Sequence, residues 1–251
     1  MENDDLITNP TGVSNSFNKY YSNIAENILN KREYTGDGNF IKYMPAPIAN
    51  SLSLAAVDAD EVRNLIKTFD TGKATGPCSI PPKILHMICE NIASPISKIA
   101  NLSFLTGVHP ERLKVAKVVP IFKSGSKMLT SNYRPISLLS NLNKIIEKLM
   151  FVRVFSFLDK ENVIYDKQFG FRPKHSTNHA IISITEKIRE ALDHDKFACG
   201  VFVDLQKAFD TVNHEILLKK LHRYGIQGAT YDWFKSYLTD RLQFVSILGF
   251  D

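Results

Sequence analysis

The chain has 251 residues, 44% of them hydrophobic and 23% charged, with a net charge of +5, the proportions of a globular protein of one or two domains rather than of a disordered or fibrous chain. Its three cysteines, Cys78, Cys89 and Cys199, form no Cys-x-x-Cys or Cys-x-x-His pair, which argues against a disulfide framework or zinc module and points to a reducing compartment. No run approaches roughly eighteen uninterrupted apolar residues, and Met1-Glu2-Asn3-Asp4-Asp5 is acidic where a leader peptide would be basic, so a soluble chain with no visible address and no membrane partner is expected.

Phe17 to Leu29 has helical apolar spacing, and 35–50, rich in Gly and Pro, reads as a linker. Asp58 with Glu61 forms a capping box ahead of Val62, Leu65, Ile66 and Phe69. Pro81-Pro82 opens one helix and Pro95 another that runs to Thr106, the two expected to form a helical hairpin. Val115–Phe122 is β-branched and ends at Lys123 before Ser124-Gly125-Ser126, the tip of a hairpin. The return includes Arg134, held extended by Pro135, and an apolar helix follows from Leu142 to Leu158. Further helices are expected over 176–192, 213–223 and 229–238, with a last strand at Arg241–Leu248. Between them, Phe197–Asp204 is apolar until it ends on a carboxylate, the pattern of a central buried strand.

Charge is uneven. Residues 1–50 are net −2, whereas 111–153 hold nine basic against two acidic side chains, +7 in about forty residues. Such an excess suits a phosphate-bearing partner, and a solvated helix face accounts for part of it. Asp204, at the end of a buried strand, needs either a salt-bridge partner or a metal ion. His175 with His179, and His86 with Cys89, have metal-like spacing but no third ligand nearby, so zinc is not expected. The order of a P-loop is absent around Gly72-Lys73, and Asn101-Leu102-Ser103 is a glycosylation acceptor only in a secreted chain.

Phe202-Val203-Asp204-Leu205-Gln206-Lys207-Ala208-Phe209-Asp210 resembles the first catalytic motif of the reverse transcriptases of non-LTR, LINE-type retrotransposons, the jockey-like group in particular. Lys73-Ala74-Thr75-Gly76-Pro77 resembles that family's early Lys-x-x-Gly-Pro-Asp-Gly element, with Cys78-Ser79 standing where Asp-Gly is usual. Val118–Lys123 and Asn132–Leu139 resemble its fingers motifs, and Gln168–Arg172 and Arg241-Leu242-Gln243 also match in order. The resemblance implies an α/β (α+β) right-hand polymerase, helix-rich, with an N-terminal helix and linker over 1–50, fingers over 51–195 and part of a palm over 196–251.

The activity implied is RNA-directed DNA polymerisation on an RNA template and a DNA primer, with dNTP as substrate and two Mg²⁺ ions stabilising attacking and leaving oxygens. Under the resemblance Asp204 is catalytic and a metal ligand, and the Leu205 carbonyl is a second ligand. Lys123 and Arg134 contact the triphosphate. Phe209 lies under the sugar and excludes a 2′-hydroxyl, its alternative being a core aromatic at the next helix. Gln168, Gly170 and Arg172 line template and primer, glycine allowing close approach, and Lys73 joins them more loosely; Asp210 has a structural hydrogen bond. No Tyr-x-Asp-Asp element follows. The chain is therefore expected to be inactive alone, the alternative being a non-catalytic nucleic-acid-binding relic. A place in the nucleus or cytoplasm follows only from the family's life cycle.

Overall fold

A computed structural model describes residues 6–29 and 40–247. Nine α-helices run through the described residues: α1 (Pro10–Ser22), α2 (Ile24–Leu29), α3 (Ala59–Lys67), α4 (Pro82–Met87), α5 (Cys89–Thr106), α6 (Asn141–Lys160), α7 (Thr177–Asp193), α8 (His214–Arg223) and α9 (Gly228–Leu238). Three strands join them, β1 (Val115–Phe122), β2 (Tyr133–Leu138) and β3 (Leu242–Val245). This is a mixed α and β architecture in which helix predominates, and no described helix is long and apolar enough to cross a membrane.

Local chemistry explains most boundaries and corrects several. α1 starts well before Phe17 because Pro10 occupies its first turn and the Asn9 side chain accepts the Gly12 N–H at 2.6 Å. It ends at Asn23, so the single helix expected over Phe17–Leu29 is two. Asp58 caps α3 by accepting the Glu61 N–H at 2.7 Å. The Glu61 carboxylate instead receives two Arg153 bonds of 2.8 Å.

Pro95 does not begin a helix; it lies inside α5, on its exposed side, where the carbonyl it leaves unpaired reaches water. Cys89, Ala93, Ile96, Ala100 and Phe104 keep one buried stripe through it, and this packing outweighs the proline. Nor is there a helical hairpin, because only Ile88 separates α4 from α5. The described part of the expected linker and the residues after it, 40–56, form a strap against the end of α8: Ile48 and Leu52 donate backbone N–H groups to the Arg223 and Gly225 carbonyls at 3.1 and 2.8 Å. The linker's residues 35–39, and Leu248 of the expected last strand, lie outside the described residues.

The sheet has the order β2-β1-β3, with β2 antiparallel and β3 parallel to β1. One hydrophobic core joins α3, α5, α6 and α9 through Val62, Ile66, Ile145, Ile146, Leu149 and Trp233. A smaller one seats Phe17 and Tyr21 of α1 on Val118 and Val245 of the sheet, with Phe17 edge-on to Tyr133 at 4.9 Å.

Where α5, α6 and α9 meet, polar groups are buried too. Trp233 donates to Ser103 Oγ at 2.9 Å, and Tyr237 donates to Glu147 Oε1 at 2.6 Å. His109, 0% exposed, stands edge-on to Trp233 and Tyr237 at 5.2 and 5.1 Å. Neither imidazole nitrogen has a hydrogen-bond partner among the described residues. Burial pushes the His109 pKa down to about 4; the neighbouring Asn143 amide opposes this, while Arg241 and Lys114 reinforce it.

The central strand expected over Phe197–Asp204 does not form. Phe202 and Val203 are 87% and 81% exposed, and no ladder runs through the segment. β1 is paired on both sides by β2 and β3, and 197–204 adds to neither of their outer edges. An apolar run cannot enter a core while its N–H and C=O groups lack bonds, so this one stays in water. No residue from 151 to 224 is buried.

Candidate nucleotide and nucleic-acid site

The β1–β2 hairpin has two unlike faces. Its register pairs Ile121 with Arg134 and Phe122 with Tyr133, and alternate residues of a strand point to opposite faces. Tyr133, Phe122 and Val118 fall on the face covered by α1. Arg134, Ile121 and Ile136 fall on the other, and all three are exposed. The Lys123 N–H donates to the Asn132 carbonyl at 2.9 Å, extending the pairing by one residue, so Lys123 shares the open face with Arg134. Two residues read as phosphate contacts are thus brought together, beside apolar surface from Ile121 and Ile136.

Other candidates are placed elsewhere. Phe209 is exposed, edge-on to Phe171 at 5.9 Å, and is not a core aromatic. Gln168 donates to its own loop at the Gly170 carbonyl, 3.2 Å away. Arg172 turns back toward Asp159 at 3.8 Å and the Tyr165 carbonyl at 3.4 Å. At Gly170 a Cβ would meet open space, so no contact within the fold requires glycine there. Asp204 and Leu205 are exposed, and the Asp204 side chain has neither a hydrogen bond nor an ion pair among the described residues. Because its segment is exposed, Asp204 carries no burial penalty, and the salt bridge considered for it is not formed. Asp210 lies close enough to Tyr20 to add to the burial that raises the tyrosine pKa.

The basic stretch 111–153 divides on structural grounds. Lys114 is buried and bonded to Glu111 at 2.7 Å. Arg153 holds Glu61 and donates to the Ala55 and Ala56 carbonyls at 2.8 and 3.1 Å, fastening the strap to α6. Lys123, Arg134, Lys144 and Lys148, by contrast, meet no carboxylate among the described residues. Lys144 and Lys148 entered the sequence reading only as charge, although two lysines early in a helix that has no acid in its first turn are a local signal.

Divalent ions used by polymerases need several hard oxygen ligands. Asp204 offers one carboxylate and Leu205 one carbonyl, and no group of three or more metal-ligating side chains occurs among the described residues. The described residues do not by themselves fit a two-ion centre.

Residues 121–249 match the family model for reverse transcriptase, RNA-dependent DNA polymerase. The chain belongs to that family. It is 33% identical over 210 residues to the RNA-directed DNA polymerase from mobile element jockey of Drosophila melanogaster, covering 83% of this chain and 23% of the relative. It is similar as well, at 31% identity over 79% of the chain and 22% of the relative, to the probable RNA-directed DNA polymerase from transposon BS of the same species. The probable enzyme from transposon X-element, also of that fly, is 29% identical over 72% of the chain and 20% of the relative. The chain therefore spans less than a quarter of the length of these curated relatives, and with them it falls among the reverse transcriptase domains of non-LTR retrotransposons.

Proposed function

We propose that this chain serves RNA-directed DNA synthesis as the part of a reverse transcriptase that receives the incoming dNTP and holds template and primer. In this reading 51–195 are fingers, 196–251 contribute part of a palm, and 1–50 precede them. Lys123 and Arg134 take the triphosphate, the lysine as a compact charge and the arginine as a two-pronged donor. Phe209 lies under the sugar. Gln168, Gly170, Arg172 and Lys73 follow the RNA template and DNA primer, where a cation grips phosphate without reading sequence. Asp204 and the Leu205 carbonyl would offer one carboxylate and one carbonyl toward Mg²⁺, which would supply charge neutralisation at the reacting phosphate where further ligands complete the centre.

The observation that carries this reading is that Lys123 and Arg134 share the open face of the hairpin, across from Asn132 and Ile121 respectively. Titration of a fluorescent dNTP tests it. Arg134→Ala is expected to weaken binding by at least tenfold, as loss of a charge-assisted hydrogen bond would, and Lys123→Ala by less; unchanged affinity in both would overturn it.

The lone Asp204 carboxylate favours a second reading, RNA binding without chemistry. Primer extension on an RNA template separates the two: product that disappears in Asp204→Ala supports polymerisation, and RNA binding without product supports the second.

A further inference from the structure

A cleft of about 350 Å³ lies between the end of α3, the loop after it and the first turns of α6. Its apolar lining is Leu65, Phe69 and Pro82, and its polar lining includes Lys73, Lys144 and Lys148. Tertiary contacts hold the walls in place. Asn141 donates to the Ile80 carbonyl at 2.7 Å, and Gly76 lies so close to the connection that leads into α6 that a Cβ there would fall 2.3 to 2.6 Å from backbone atoms of Leu139 and Ser140. Only glycine permits that approach.

Of the three ammonium groups in the cleft, Lys144 and Lys148 have no ion-pair partner among the described residues. Asp70 is its one acid; it accepts the Gly72 N–H at 2.9 Å and stands 3.7 Å from Lys73. Lys144 donates to Asn141 Oδ1 at 3.2 Å, and Lys148 lies 4.7 Å over the Phe151 ring. Glu147, between them on α6, forms no ion pair with either among the described residues; its Oε1 accepts from Tyr237 and from Asn143 at 2.6 and 2.8 Å. Lys144 closes the first turn of α6, which holds no acid, so the helix's positive end adds to the potential there.

We infer that this cleft binds a nucleotide unit of an RNA strand, with the strand phosphates on Lys144 and Lys148 and the sugar or base on Leu65 and Phe69. The inference rests on the nucleic-acid reading above and adds a site and two residues to it. The space is about that of one nucleotide, and an apolar floor beneath paired ammonium groups suits a ligand with one flat face and one anionic edge. Free mononucleotides share this chemistry, so the test must separate the two sources.

The full chain would be titrated with a 3′-labelled twelve-nucleotide RNA by fluorescence anisotropy at several KCl concentrations. For the double variant Lys144→Gln/Lys148→Gln, loss of two phosphate contacts is expected to make the slope of log K against log salt shallower by about 1.4. Lys219→Gln/Lys220→Gln on α8 removes the same charge elsewhere and should keep the wild-type slope, with thermal melts verifying that both variants fold. A wild-type slope in the α6 variant, or an equal loss in the α8 variant, overturns the inference. So does competition by 5′-AMP that depends on Lys144 and Lys148 while RNA binding does not, since the site would then belong to mononucleotides. A wild-type chain that binds no RNA refutes the nucleic-acid reading itself, an outcome distinct from the other two.

Discussion

His109 should make the fold acid-sensitive well above the range in which carboxylates titrate. Its pKa is about 4 in the fold, chiefly through burial, against roughly 6.5 in an unfolded chain. As pH falls through 6.5 the unfolded state takes up a proton that the folded state refuses, so this part of the stability is complete above 6.5 and is lost progressively down to about 4. Integrating between pH 7.5 and pH 5 gives a loss of ~2 kcal/mol, at up to ~1.4 kcal/mol per pH unit. Urea denaturation of wild type and of His109→Leu at pH 7.5, 6.5, 5.5 and 5 isolates the effect, because the other histidines and the carboxylates contribute to both. The variant should show the shallower dependence whatever its stability at pH 7.5. Parallel profiles would refute the reasoning and mean that the imidazole accepts its proton inside the fold.

Three further outcomes follow from burial and bonding. Phe202→Ala should change stability by no more than ~0.5 kcal/mol, since the ring is 87% exposed; a loss of ~3 kcal/mol or more in urea denaturation is what a buried strand would produce. Arg153→Ala should cost ~3 kcal/mol in the same assay, because it strands a half-buried Glu61 and two carbonyls. Trp233→Phe leaves Ser103 without its indole donor and should cost ~1–3 kcal/mol by chemical denaturation; in the wild type, emission from this one tryptophan, 2% exposed, should be blue-shifted and shift red on unfolding.

Local rules carried the reading of the hairpin. A β-branched run, a Gly-Ser turn and a proline that holds Arg134 extended are each decided within a few residues, and alternation then puts Lys123 and Arg134 on one face. The cap at Asp58 was legible for the same reason, whereas the partner of Glu61 was not, since Arg153 reaches it from another helix. Pro95 misled because a local preference met a buried stripe that continues through it. Apolarity over Phe197–Asp204 marks a segment suited to burial, but whether it is buried depends on strands beside it, and periodicity contains no information about those. The α6 cleft was illegible in the same sense. Lys73 and Lys144 lie far apart in the chain and meet only because Gly76 lets the loop close on the connection into α6.

The parallel pairing of β1 with β3 joins residues 115–118 to 242–245, closing a loop of more than a hundred residues. That closure is entropically slow to form. Once made, it anchors both ends of the stretch 151–224 to packed structure, although the stretch itself buries no residue. Opening over 193–210, where every residue but Lys207 is exposed, uncovers almost no new apolar surface, so the amides there should exchange with solvent at a small fraction of the global unfolding free energy. Those of α5 and of the first turns of α6 should exchange only when the whole core opens. Asp204 and Phe209 therefore lie on a span that can rearrange around a ligand while the core beneath keeps its shape.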